Sequence, residues 1–265
     1  MINLILIGSA GRMGQAIINV LPNFPKLTLI AAIEAKGNRS LGKAAFENIK
    51  FTSDLSEKLG GADVMIDFTS AEPSITNLKM AASAKKPVVI GTTGHDSEQK
   101  GQILSLSKVV PIVYSPNMSV GVNTMWKLIG DAAQVLGRNY QIDIVETHHI
   151  HKKDAPSGTA KKMLELLAER GGYSLDKDVF FHLEGSPLPK GERAKGEGAK
   201  VRVKSIREGG IVGDHTIIFT SPYERLEITH RAFSREVFAM GTLRAAEWVV
   251  GKPAGLYSMK EVLSI

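Results

Sequence analysis

Residues 146–160 read ETHHIHKKDAPSGTA, and His148, His149, His151, Lys152 and Lys153 crowd into its middle. Such a cluster could ligate a metal, donate a proton, clamp an anion, or simply be a basic strand end in solvent. Two adjacent ammonium groups oppose the gathering of neutral imidazoles and Asp154 around an ion, so no metal ligands are expected. The following DAPSGT run is more informative. Pro156 and Ser157 mark a helix start, and the amphipathic segment behind them fits a helix over residues 157–169. The amides and hydroxyls of Ser157, Gly158 and Thr159 then form an anion-binding helix N-terminus, close in sequence to His148 and Lys152. A lysine, with a free pKa of about 10.4, is protonated at neutral pH and able to act as a general acid. An anionic small molecule held beside a proton donor is the chemistry this stretch supports.

A second constellation opens the chain. In GSAGRMG, Gly8, Gly11 and Gly14 follow the apolar run of residues 2–7 and precede helical spacing at Met13, Ile17, Val20 and Leu21. Glycines there permit a tight turn, close approach of backbone to a pyrophosphate and close helix packing, and the helix N-terminus faces the phosphates. The spacing is GxxGxxG rather than GxGxxG, and its position between strand and helix gives it weight. Glu34 ends the second strand, where an acid accepts hydrogen bonds from a ribose hydroxyl pair. Its charge opposes the 2′-phosphate of NADPH, whereas Arg12 and Lys36 could pair with it. Both NADH and NADPH are therefore expected as cofactors. GTTG at Gly91, Thr92, Thr93 and Gly94, and SPNM at Ser115, Pro116, Asn117 and Met118, fall at further strand ends, where the nicotinamide would lie.

These residues need a scaffold. Strands are expected over residues 2–7, 27–33, 62–68, 87–90 and 109–114, with helices between them and small or polar residues at each strand end. That is an α/β, Rossmann-like doubly wound parallel sheet with its ligand edge marked. After residue 118 the rhythm changes to a long helix over 119–136, a strand over 141–148, the 157–169 helix, and strands near 200–207, 215–220 and 226–231. Helices on one side of a mostly antiparallel sheet make a second, α+β domain. The expected domains are 1–118, completed by a last helix and tail over 232–265, and 119–231. If the chain stays extended past 148, His148, Ile150 and Lys152 share one face and His149 and His151 the other.

Composition bounds the rest. The 265 residues are 43% hydrophobic, enough for real cores, and contain no cysteine, which removes disulfides and thiolate metal sites. The opening lacks a signal-peptide pattern, and no apolar run approaches a membrane span, so a cytoplasmic protein with no membrane partner is expected. The formal charge of +6 is concentrated in PLPKGERAKGEGAKVRVK, residues 187–204. Its Gly and Pro content reads as a solvated loop running into a strand, and without aromatic platforms no nucleic-acid partner is expected.

Taken in order, GSAGRMG, GTTG, SPNMSVGVN, ETHHIHKKDAPSGTA, REGGIVGDH and ITHRAFSREVFAMG closely resemble the 4-hydroxy-tetrahydrodipicolinate reductase (dihydrodipicolinate reductase) family of diaminopimelate and lysine biosynthesis. The resemblance implies an NAD(P)H-dependent oxidoreductase acting on a cyclic dicarboxylate. It implies an acid/base histidine at His148, a substrate-contacting histidine at His149, a proton-donating lysine at Lys152, and a carboxylate held by Gly158 and Thr159. The cofactor would lie along Gly8, Ser9, Ala10, Gly11, Arg12 and Met13, at Glu34, along residues 91–93 and along residues 115–118. A homotetramer joined through the sheets of the substrate domains is also implied. One departure stands out: some relatives carry arginine directly after the ribose acid, but here Ala35 stands there and Lys36 follows. The competing readings are a dehydrogenase of another amino-acid pathway and an NAD(P)-sensing regulator without turnover.

Overall fold

The computed structural model describes residues 1–183 and 200–265. Met1–Val120 with Arg235–Ile265 form one compact unit and Gly121–Ser234 another. Residues 187–199 of the expected basic loop lie outside the described residues; from Val201 that segment is strand.

In the first unit the strands are β1 (Ile2–Ile7), β2 (Leu27–Ile33), β3 (Ala44–Phe46), β4 (Ile49–Thr52), β5 (Val64–Asp67), β6 (Val88–Ile90), β7 (Pro111–Tyr114) and, near the C-terminus, Gly255–Tyr257. The helices are α1 (Arg12–Val20), α2 (Ser56–Leu59), α3 (Ala71–Ser83) and α4 (Ser97–Leu106), joined by the later Glu236–Val249 and Met259–Leu263. The sheet runs from the Gly255–Tyr257 strand through β7, β6, β5, β1, β2 and β4 to β3, and is parallel except for the β3–β4 pair. The unbroken apolar run of β1 follows from burial on both faces. Leu4 and Leu6 join Ile17 of α1 and Leu243 of the Glu236–Val249 helix in one core, while Ile5 and Ile7 join Leu78 of α3 and Ile103 of α4 in the other.

The second unit holds α5 (Val120–Leu136, from its second residue), β8 (Gln141–His148), α6 (Gly158–Gly171), β9 (Val179–Leu183), β10 (Val201–Arg207), β11 (Gly213–Thr220) and β12 (Arg225–Ala232). Hereafter the Glu236–Val249 helix is α7, Met259–Leu263 is α8 and Gly255–Tyr257 is β13. The sheet order is β12-β11-β8-β10-β9. This corrects the mostly antiparallel expectation: β8–β10 and β10–β9 are parallel, and only β11 pairs antiparallel with its neighbours β8 and β12. Parallel strands need a long crossover, which α6 supplies between β8 and the strands that follow it. One face of the sheet, with Ile142, Ile144, Val203, Ile217 and Phe219, packs with Trp126 and Ile129 of α5 and Met163 and Leu167 of α6.

Candidate active site

Register brings the ligand edge of the first sheet together. Ile33 lies beside Ile7, Ile7 beside Asp67, Asp67 beside Ile90, and Ile90 beside Tyr114. The loops carrying Gly8, Glu34, Thr69, residues 91–94 and residues 115–118 therefore leave one edge of the sheet. Strand order reverses between β1 and β5, the crevice where open α/β sheets bind ligands. Gly8 sits at that crevice with φ +76°, and a Cβ there would come within 2.2 Å of the Phe68 carbonyl oxygen, so the turn admits only glycine. Gly11 caps α1 with no side-chain hydrogen bond, and no acid stands in the first turn. By contrast α4 and α8 are closed by capping boxes. The α1 terminus keeps its positive end for an anion.

A cleft of about 880 Å³ runs along this edge, lined by Gly8, Gly11, Glu34, Lys36, Asp54 and Thr69 among others. Lys36 is the one cation among its described lining residues; Arg12, although exposed, is not among them. Glu34 is held in place: Oε1 accepts from the Ala10 amide at 2.6 Å, and Oε2 accepts from Asn38 Nδ2 at 2.8 Å. Ser9 is buried and donates to the Ile33 carbonyl, so its side chain braces the turn. Thr92 is buried too; its hydroxyl donates to Asp67 Oδ1 at 2.6 Å and accepts from the Thr69 amide. Gly91 lies against the Phe68 ring, where a Cβ would sit 2.1 Å from the nearest carbon. Ser115 donates to the Asn117 carbonyl, the Asn117 side chain accepts from the Ser119 amide, and Met118 is a core side chain. Met13 packs against that same core, and Thr93 is exposed.

The second cluster follows from strand parity. On β8, Ile142, Ile144, Glu146 and His148 point to the packed face. Neighbouring strands extend each position into a rung: Val201, Ile142 and Phe219; Val203, Ile144 and Ile217; then Ser205, Glu146 and His215. The first two rungs are apolar and the third is polar, so the core gives way to a buried polar patch at the strand end. Glu146 Oε2 lies 2.5 Å from His148 Nδ1, and its other oxygen lies 3.0 Å from Arg207 Nη2. Burial disfavours the Glu146 charge, but hydrogen bonds from His148 and Ser205, the His148 charge and the Arg207 hydrogen bond outweigh it and hold its pKa down to about 2. His215 stacks edge-on against His148 at 5.0 Å. Burial first, and His148 second, push the His215 pKa down to about 3, so it is neutral at pH 7.

His215 Nε2 lies 3.0 Å from Ser157 Oγ, which also accepts from the Ala160 amide as the N-cap of α6. The Ser157 oxygen keeps a second lone pair and its own hydrogen, so either it or His215 Nε2 can be the donor, according to the tautomer of the neutral ring. Gly158 opens α6 with empty space around its Cβ position, and Thr159 is buried beside it. The strand does not continue past His148: the chain turns at Ile150 and His151, and the Lys152 amide donates to the His149 carbonyl. The expected alternation through Lys152 is thereby corrected, because the His149 amide is taken by the Ile211 carbonyl and the ladder ends. His149 and His151 nevertheless lie ring to ring at 6.2 Å. Lys152 Nζ pairs with Asp154 at 2.8 Å. Burial disfavours the Asp154 charge, but the Lys152 hydrogen bond and charge hold that carboxyl below its usual range.

Two family models, described as dihydrodipicolinate reductase N-terminus and C-terminus, match residues 2–118 and 121–263. A 4-hydroxy-tetrahydrodipicolinate reductase of Syntrophus aciditrophicus is 43% identical over 99% of this chain and 98% of its own. The chain belongs to the dihydrodipicolinate reductase family. It is an oxidoreductase by that membership, with a nucleotide-binding first unit. The reductase of Geobacter metallireducens is 42% identical over the full length of both chains. In fold, the chain is similar to a dipicolinate-bound dihydrodipicolinate reductase from Paenisporosarcina sp. TG-14, with TM-score 0.78, 24% identity and 98% of each chain covered. Among the described residues of this family member, no helix is long and apolar enough to cross a membrane.

Several residues of this reductase's clusters escape a reading by motif. Arg207 and His215 bound the REGGIVGDH stretch yet carry no role until register places them beside β8. Glu146 heads the histidine stretch, and its two-residue spacing from His148 was the signal available. Asn38 and Asp67 act only through folded contacts, on Glu34 and Thr92. Glu146, His148 and His215 are also the one group of described side chains close enough together to share a metal ion. Arg207 and His148 already meet the charge of Glu146 there.

Proposed function

We propose that this protein reduces 4-hydroxy-tetrahydrodipicolinate to tetrahydrodipicolinate with loss of water, using NADH or NADPH, in lysine and diaminopimelate biosynthesis. The observation that carries the reading is one chain of contacts in the second unit. It runs from the α6 N-cap Ser157 through His215, His148 and Glu146 to Arg207, whose guanidinium donates to the carbonyls of Lys152 and Asp154. An anion-binding helix end and a lysine-bearing turn are thus tied to one histidine.

The uncapped α1 terminus, the glycine turn and the Glu34 carboxylate fit a dinucleotide. Residues 8–13, Glu34, Lys36, residues 91–93 and residues 115–118 would hold it, and when bound it supplies a hydride to the conjugated imine. Glu34 would accept from the adenosine ribose, and Lys36 would offset the 2′-phosphate. The Gly158 and Thr159 end of α6, with Ser157 and His149, holds a substrate carboxylate. Lys152 delivers the proton that the far end of the conjugated system must gain, with His148 as the acid/base partner beside it. Water is lost before the hydride arrives: the 4-hydroxyl gains a proton as the neighbouring ring carbon gives one up. The elimination therefore consumes no net proton and creates the conjugated imine, and the reduction then takes one hydride and one proton. The domains are 1–118 with 232–265 for the cofactor and 119–231 for substrate and assembly, and the assembly is a homotetramer working in the cytoplasm on a small molecule, away from nucleic acid and membranes.

The test is a coupled assay with an aldolase-type synthase that makes the substrate in place. Loss of nicotinamide absorbance that depends on the synthase and on this protein is expected. Absence of turnover with either cofactor, alongside intact dinucleotide binding, would favour a sensor of NAD(P) instead.

A further inference from the structure

Glu146 is wholly buried, yet the reaction described above gives it no task. A buried carboxylate is costly unless its charge is met, and here one oxygen accepts from an arginine while the other lies 2.5 Å from an imidazole nitrogen. We propose that Glu146, held by Arg207, is a positioning residue that keeps a proton on Nδ1 of His148 and so reserves Nε2 as the nitrogen that exchanges protons with the substrate. This rests on the assignment of His148 as the acid/base group.

The donor and acceptor inventory supports it. Two bare acceptors would repel at the 2.5 Å that separates Nδ1 from Oε2, and an ionised carboxylate has no hydrogen to give, so Nδ1 carries the proton although the two groups are not aligned for a straight hydrogen bond. Arg207 cannot surrender its proton, and it is anchored independently by the Ile206, Lys152 and Asp154 carbonyls, so Glu146 cannot turn away from it. The Ser205 hydroxyl supports the same carboxylate from the neighbouring strand. On the other edge of the ring, Nε2 faces the backbone of Gly213, where an added Cβ would lie 3.1 Å away. A glycine there leaves room beside the nitrogen that must stay open. The same guanidinium fixes the Lys152 turn, so one buried ion pair sets both the tautomer of His148 and the path of the chain that carries Lys152.

Glu146→Gln makes the reversal specific. The amide has one acceptor oxygen where the carboxylate had two; Arg207 keeps that oxygen, and the amide NH2 is left toward His148, which can meet it only with a bare Nδ1. The experiment uses full-length protein labelled with 15N-histidine, with His148 assigned by comparison with His148→Gln. In wild type, Nδ1 of His148 is expected to carry a proton, whether or not Nε2 also does. In Glu146→Gln, Nδ1 is expected to be bare, with kcat lower by about a hundredfold or more and KM for the dicarboxylate within about threefold. A bare Nδ1 in wild type overturns the proposal even if the variant fails to fold. So does a variant with kcat within about twofold of wild type, or one that loses activity while Nδ1 keeps its proton. A wild type with the expected tautomer but no reductase turnover would uphold this arrangement and overturn the proposed reaction.

Discussion

Lys152, on the turn, pairs among the described residues with Asp154, and its side chain is 21% exposed. Its removal should spare the fold, since a half-exposed ion pair contributes little to stability. Lys152→Ala is expected to lower kcat by about two to four orders of magnitude, with NADH affinity by fluorescence titration unchanged. Near wild-type turnover would remove it from the mechanism. His215 makes a different prediction. Its folded pKa of about 3 lies below the 6.5 of an ordinary imidazole, so the unfolded chain binds the extra proton first. Its contribution is complete above about pH 6.5 and is lost as pH falls toward 3. Glu146, with a folded pKa of about 2 against 4.5, adds a second loss below about pH 4.5. Calorimetric Tm should therefore fall from pH 6.5 to about pH 5 in wild type, and fall less in His215→Asn, while both keep the later loss.

At the scale of elements, α6 and the glycine turn are the parts whose geometry was most readable from sequence. A buried parallel strand announces itself by an unbroken apolar run, and β1 and β2 keep the expected bounds because each feeds two cores. β3, β4 and β13 are three or four residues long, too short for any period to emerge, and α4 buries only Ile103, so its sequence carries almost no apolar stripe. The polar rung of Ser205, Glu146 and His215 was hidden for another reason: it is assembled from three strands, and pairing register between distant segments leaves no local mark. Glu34 was legible as a strand-end acid, whereas the Asn38 and Ala10 contacts that fix it exist only after folding. Gly158 lies in open space, so Gly158→Ala should leave Tm unchanged while crowding the helix end proposed to hold the carboxylate. KM for the dicarboxylate should rise with NADH affinity unaltered, and Thr159→Val should act in the same direction. Equal loss of NADH affinity would contradict the assignment of α6 to substrate. Gly8→Ala should do the reverse, weakening dinucleotide binding and lowering Tm, because its Cβ would collide with the Phe68 carbonyl.

At the scale of the whole molecule, the chain forms two compact units, and the proposed function puts cofactor binding in one and proton chemistry in the other, so each can be tested separately. In the cleft of the first unit, Lys36 shares the lining with two carboxylates, Glu34 and Asp54. Specificity constants for NADH and NADPH are expected to lie within about tenfold, a difference of about 1.4 kcal/mol. Lys36→Ala should weaken NADPH selectively, an effect that shrinks with added salt. An unmoved NADPH/NADH ratio would make Lys36 a solvated residue and turn attention to Arg12 or Arg39. The most direct test of hydride delivery to the cyclic dicarboxylate uses dihydronicotinamide cofactor deuterated at the transferring position, with the substrate made in place by the synthase. Mass spectrometry of the product should show tetrahydrodipicolinate heavier by one deuterium, formed in step with cofactor oxidation. Product of unchanged mass, or cofactor oxidation that continues without the synthase, would contradict it.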